Sequence, residues 1–132
     1  MRLEKFTILY VEDDETTQEL IKEILIPSCK EVFIANDGKE GLALYKEKNP
    51  DIVVSDITMP NMNGLEMSEA IKKINPKQPI ALFTAFSNAS FLKKAVEIGI
   101  TTYMLKPLEE KQFFNSLNYM AIELDISRSE MN

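Results

Sequence analysis

Apolar residues gather along this chain in two alternating patterns. Ile8-Leu9-Tyr10-Val11, Ile52-Val53-Val54 and Ile80-Ala81-Leu82-Phe83 are short unbroken apolar runs. Such runs suit strands buried on both faces, as in the middle of a parallel sheet. Residues 31–35 and 102–105 are more mixed and read as strands nearer the sheet edges. Between the runs the apolar residues recur at helical spacing. Leu20, Ile21, Ile24 and Leu25 share one face of a helix over 15–26, closed by Pro27. Asp37 followed by Glu40 reads as a capping box opening a second helix, which ends before Asn49-Pro50. Met67, Ala70, Ile71 and Ile74 mark a third helix. Phe91, Leu92, Ala95 and Val96 mark a fourth that stops at Gly99, and Phe113, Leu117, Met120 and Leu124 mark a fifth. The domain is expected over 5–124, with 125–132 a polar tail that frays or begins a linker.

Five strand–helix units in succession predict a parallel sheet covered by helices on both faces, with right-handed crossovers. Such sheets present functional groups at the carboxyl ends of their strands. Those ends carry Glu12-Asp13-Asp14 after the first strand, Asp56 after the third, Thr84 after the fourth and Lys106-Pro107 after the fifth. The second strand is followed only by the turn and cap residues Asn36-Asp37-Gly38. This distribution makes strands 1 and 3 neighbours, with strand 2 outside, and gives the order 2-1-3-4-5. That order belongs to the flavodoxin-like (βα)5 three-layer sandwich and is a match to a known arrangement.

The clustered acids carry the chemistry. Two carboxylates ~5 Å apart repel by roughly 3 kcal/mol at an effective dielectric of ~20. Glu12, Asp13 and Asp56 together must therefore share a proton, shift their titration or bind a cation. Lys106 offsets one charge only, so a hard divalent cation is the natural partner. Mg²⁺ fits best, because it commonly uses one or two carboxylates plus phosphate oxygens; Mn²⁺ or Ca²⁺ could substitute. An ionised Asp in such a site can form an aspartyl phosphate, with the metal, the lysine and a hydroxyl neutralising the transferred group.

Composition narrows the setting. The 132 residues fit one domain, and 45% apolar against 27% charged is the balance of a globular chain. A net charge of −6 makes the domain a poor partner for nucleic acid or an anionic membrane. There is no histidine, so any phosphohistidine must come from another molecule. The single Cys29 points to a reducing compartment, and no long apolar run spans a membrane or forms a signal peptide, so a cytoplasmic protein is expected. Some residues have plainer roles. Asp14 reads as a helix cap, Met59 and Met62 as packing, and Phe113-Phe114 as helix core.

Taken together, Ile8 to Asp14, Pro50 to Pro60, Met62-Asn63-Gly64, Thr84-Ala85 and Tyr103 to Pro107 resemble the receiver domains of two-component response regulators, the CheY-like superfamily. The resemblance runs from about Lys5 to Leu124. It implies that Asp56 is the phosphoacceptor, that Asp13 binds Mg²⁺ directly, that Glu12 does so through water, and that the Thr58 carbonyl is a further ligand. It implies that Thr84 and Lys106 hold the phosphoryl group, that Tyr103 is a switch residue, and that the Lys106–Pro107 peptide bond is cis. Glu12 stands where Asp is commoner, and Asn63 where Asp is often found before the glycine. Thr58 and Phe86 occupy positions that tune phosphoryl lifetime in the family, and a bulky Phe86 is expected to shield the phosphoryl group.

The expected function is a phosphorelay switch rather than an enzyme with a released product, catalysing only its own phosphorylation and dephosphorylation. The partners implied are a sensor histidine kinase or phosphotransfer protein, and a downstream protein or fused output domain reached through the face of the fourth helix, fifth strand and fifth helix. The domain is expected as a monomer or a phosphorylation-dependent dimer. A flavin-binding protein would need a phosphate loop where this chain is acidic, and a haloacid dehalogenase-type phosphatase would need an Asp-x-Asp pair that Glu12-Asp13-Asp14 does not supply. A receiver-like interaction module acting without phosphorylation remains the alternative.

Overall fold

Parallel pairing of five short strands organises the molecule. The structure is a computed structural model describing residues 2–85 and 88–130, apart from the side chain of Arg2. Phe86, expected to shield the phosphoryl group, lies outside the described residues. The elements are β1 (Thr7–Val11), α1 (Glu15–Leu25), β2 (Glu31–Ala35), α2 (Gly38–Lys48), β3 (Ile52–Ser55), α3 (Gly64–Ile74), β4 (Ile80–Thr84), α4 (Ala89–Ile98), β5 (Thr102–Leu105) and α5 (Glu110–Glu130). Short 3-10 turns occupy Arg2–Lys5 and Ile26–Ser28. All pairings are parallel and the sheet order is β2-β1-β3-β4-β5, as the strand-end residues required. Among the described residues no helix is long and apolar enough to cross a membrane.

Strand periodicity splits the core into two layers. Ile8, Tyr10, Ile52, Val54, Ala81 and Phe83 face α1 and α5, where they meet Ile21, Leu25, Phe113, Leu117 and Met120. Leu9, Val11, Val53 and Leu82 face the other way, toward Tyr45 of α2, Leu65, Met67 and Ile71 of α3, and Ala95 of α4. Phe113 is core, as expected, with its ring edge-on to Phe83 at 5.3 Å. Met59 is buried and Met62 packs against the second layer.

Four local expectations need correction. The box expected at Asp37 is half made: its carboxylate caps Glu40 N–H at 2.8 Å, while Glu40 accepts from Asn36 Nδ2 at 3.2 Å. The full capping box sits at Asn63 and Glu66, so Asn63 is a helix cap as well as a turn residue. Ile74 and Leu20 match the helical pattern but lie at the rim, where the sheet no longer covers them, and are about half exposed at 53% and 46%. On α4 only Ala95 is buried, and Val96 is 73% exposed, so the apolar pattern there marks an outer face.

The fourth correction concerns the chain end. The tail expected to fray after Leu124 is helical through Glu130. Arg128 holds it: its guanidinium donates to Asp51 Oδ1 at 2.7 Å and lies 5.4 Å from the centre of the Phe6 ring. Asp51 in turn accepts from Thr7 N–H at 2.8 Å and Thr7 Oγ1 at 3.1 Å through Oδ2. Burial pushes the Asp51 carboxyl up, but the Thr7 and Arg128 donors outweigh it and hold it below the ordinary carboxylate range. Its contribution to stability is therefore complete above about pH 4 and is lost as pH falls through the lowered value.

Asp51→Asn should cost roughly 1–3 kcal/mol at neutral pH, since several donors lose a charged acceptor. It should also flatten the acid limb of a denaturation series. Arg128 is half exposed, so Arg128→Ala should cost only about 1 kcal/mol or less, but amide exchange in the last turn of α5 should quicken. Equal costs for the two variants would refute this division.

Candidate functional site

The ladder continues past the ends of the strands and fixes the site backbone. Glu12 N–H donates to Ala35 O of β2 at 3.0 Å, Asp56 N–H to Val11 O of β1 at 3.0 Å, and Lys106 N–H to Thr84 O of β4 at 2.8 Å. Each candidate residue is thus tied to its neighbouring strand, and the sheet order brings them to one edge. Asp14 caps α1 through the Thr17 N–H, the plainer role expected of it. Gln18 was not legible as a site residue. Its amide donates to Glu12 O at 2.9 Å and Asn36 Oδ1 at 3.0 Å, so α1 braces the loops after β1 and β2.

At that edge Lys106 Nζ lies 2.8 Å from Glu12 Oε1 and 2.9 Å from Asp56 Oδ2. Ile57 N–H donates to Asp56 Oδ1 at 2.7 Å. Glu12 is fully buried and Asp56 nearly so, whereas Asp13 is exposed. One carboxylate oxygen from each of Glu12, Asp13 and Asp56 falls within 4.8 Å of the others. At that spacing each pair repels by about 3 kcal/mol at an effective dielectric of ~20. All three offer hard oxygen donors, the chemistry that suits Mg²⁺, Mn²⁺ or Ca²⁺.

The electrostatics follow from burial. Burial pushes the Glu12 carboxyl up, and the charge of Asp56 adds to this, against the pull of Lys106 and the Asp14 N–H. Burial alone would lower the Lys106 ammonium, but the two carboxylates outweigh it and hold its proton more firmly. Tyr10, which the apolar pattern hid, donates its hydroxyl to Glu12 Oε1 at 3.0 Å. Burial and the charge of Glu12 keep that phenol protonated.

The remaining candidates stand around this group. Thr84 is fully buried at the end of β4. Tyr103, on the edge strand β5, packs against the second core layer, and its phenol is pushed up by burial and by the charge of Asp56. Thr58 is exposed in the loop that follows Asp56. The Lys106–Pro107 bond is cis, as the resemblance implied. The loop after β3 is fitted closely to the acidic edge: Gly64 N–H donates to Ile57 O at 2.8 Å, and a Cβ on Gly64 would collide with the carbonyl of Asp56 itself. Gly64→Ala should therefore destabilise the fold by roughly 1–3 kcal/mol. It should also move the Asp56 and Ile57 amide resonances more than those of β2; a spectrum perturbed uniformly would contradict this.

Comparisons with known proteins agree with the geometry. Residues 8–118 match the model of the response regulator receiver domain family. The chemotaxis protein CheY of Thermotoga maritima is 33% identical over 112 residues, covering 84% of this chain and 93% of that protein. A CheY-like receiver domain protein from Methanospirillum hungatei superposes with a TM-score of 0.89 at 25% identity, over 93% of this chain and 98% of the other. A chain of the CheX–CheY–BeF3–Mg²⁺ complex from Borrelia burgdorferi superposes with a TM-score of 0.79 at 27% identity, over 85% and 86%. With the family matched across most of its length and the acidic edge in place, the chain belongs to the response regulator receiver domains of two-component systems.

Proposed function

We propose that Asp56 accepts a phosphoryl group from a phosphohistidine on a partner kinase or phosphotransfer protein, and that the domain switches its partner-binding face in response. The observation that carries this reading is the Asp56 carboxylate held 2.9 Å from Lys106 Nζ, with Glu12 and Asp13 close enough to share a cation. The likeness to a chain of the Borrelia complex solved with BeF3 and Mg²⁺ supports a domain of this kind that works with a divalent ion and a phosphoryl-like group. A carboxylate oxygen of Asp56 attacks phosphorus, the new O–P bond forms as the N–P bond of the phosphoimidazole breaks, and the imidazole leaves as the neutral ring, its other nitrogen already carrying a proton. The reading makes the chain a switch that catalyses its own modification.

Lys106 already faces Asp56 and would neutralise an oxygen of the transferred group. Thr84 would donate its hydroxyl to a second oxygen. Asp13, Asp56 and the Thr58 carbonyl would hold Mg²⁺, with Glu12 acting through water. When bound, the ion neutralises the charge shared by Asp56 and the phosphoryl group. Tyr103 would follow Thr84, altering the face of α4, β5 and α5. Leu92, Val96, Leu105 and Tyr119 are exposed apolar residues on those elements, a surface suited to a partner protein. Moving such a switch from mostly off to mostly on takes about 5 kcal/mol of differential stabilisation.

Acetyl phosphate with Mg²⁺ should give a phosphorylated species by intact-mass spectrometry in wild type and none in Asp56→Asn. Absence of modification with any donor and any divalent ion would favour an interaction module that works without phosphorylation. Mg²⁺ alone, at ten times its Kd, should stabilise the fold by about 1.4 kcal/mol. Asp13→Ala should abolish most of that gain in a thermal melt.

A further inference from the structure

Tyr10 belongs to two environments at once. Its ring is fully buried in the core layer with Ile21, Phe83 and Phe113. Its hydroxyl reaches out of that layer to Glu12 Oε1 at 3.0 Å. Residues 10 and 12 lie on the same face of the strand direction, which is why a core aromatic can meet a site carboxylate. Glu12 has no exposed surface, so protein donors must replace water around it. Oε1 has two, Tyr10 and Lys106, and Oε2 takes the Asp14 N–H at 3.3 Å.

Of these donors Lys106 is shared, because the same ammonium binds Asp56 Oδ2. A phosphoryl group on Asp56 would compete for that ammonium. The Tyr10 hydroxyl has no such second carboxylate to serve, and its ring is locked by the core. We propose that Tyr10 is a positioning residue for the metal site. Its hydroxyl commits Glu12 Oε1 to the protein interior, fixes the carboxylate plane, and leaves Oε2, which takes only the long Asp14 N–H bond at 3.3 Å, to meet a water of the divalent cation whether or not Lys106 has turned to the phosphoryl group. This rests on the metal-assisted reading given above.

The test is Mg²⁺ affinity measured by isothermal titration calorimetry. Tyr10→Phe keeps the ring in the core and removes only the hydroxyl. Its Mg²⁺ Kd should rise about tenfold, the usual scale for losing a group that orients a ligand. The same substitution made in a Glu12→Ala background should leave Kd unchanged, because the contact is already gone. A role confined to packing would shift the melting temperature without this dependence on Glu12. A second readout needs no variant: with ¹³Cζ-labelled tyrosine, the Tyr10 resonance of wild type should shift during the Mg²⁺ titration with the calorimetric Kd. Wild type that binds Mg²⁺ while Tyr10→Phe binds it equally well, or while the Tyr10 resonance stays still, overturns this inference alone. Wild type that binds no Mg²⁺ overturns the metal-assisted reading together with it.

Discussion

The ammonium of Lys106 stands between two carboxylates at the carboxyl end of the sheet, 2.8 Å from Glu12 and 2.9 Å from Asp56. Burying a carboxylate without a partner costs several kcal/mol, so neither acid could occupy its place without that cation. Yet one ammonium cannot balance Glu12, Asp13 and Asp56. Three formal negative charges against one positive leave a deficit of two, which is the charge of a divalent ion. The resting site is folded but electrostatically incomplete, and on the reading proposed above a divalent cation would supply the missing charge and so admit an anionic phosphoryl group.

Maintaining this arrangement falls to the backbone. The ladder extends one residue beyond β1, β3 and β5, so the positions of Glu12, Asp56 and Lys106 are set by strand register before any side chain meets another. A slip of one residue would turn all three to the opposite face of the sheet. Register is in turn secured by two apolar layers, each complete on its own side. Site geometry and core packing are therefore a single constraint.

This explains what could be read from the sequence. Unbroken apolar runs marked β1, β3 and β4 because those strands are buried on both faces, and the site members follow them: Glu12 and Thr84 directly after the first and last runs, Asp56 one residue further on, after Ser55. Sheet order followed from where the charged residues fell. Features built from pairs distant in the chain were not legible. Nothing near Arg128 signals that it meets Asp51 and Phe6, so the last turns of α5 looked like a fraying tail. Gln18 looked like an ordinary polar helix residue. Tyr10 is the intermediate case: a hydroxyl within an aliphatic run, two residues before Glu12, is a signal in principle, but an apolar count conceals it. On α4 the pattern was read correctly and its meaning was not, because helical periodicity identifies an apolar face without saying what covers it.

That last point bears on where the domain can yield. At one end α5 is anchored by Phe113 against Phe83, and at the other by Arg128 against Asp51 and Phe6. By contrast, α4 buries only Ala95, and its ion pair to α3, Lys94 with Glu69 at 2.9 Å, is about half exposed on both sides. Exposed pairs of that kind contribute little, because solvent screens them and ordering two long side chains offsets the attraction. Regions with few buried contacts open at low free-energy cost. If binding at Asp56 changes the α4–β5–α5 face, the change falls on α4 and the edge strand β5, with α5 serving as the fixed wall against which they move. Tyr103, on β5, would then lie on the moving side of that boundary, while Asp56 and Glu12 lie at the ends of strands held from both faces.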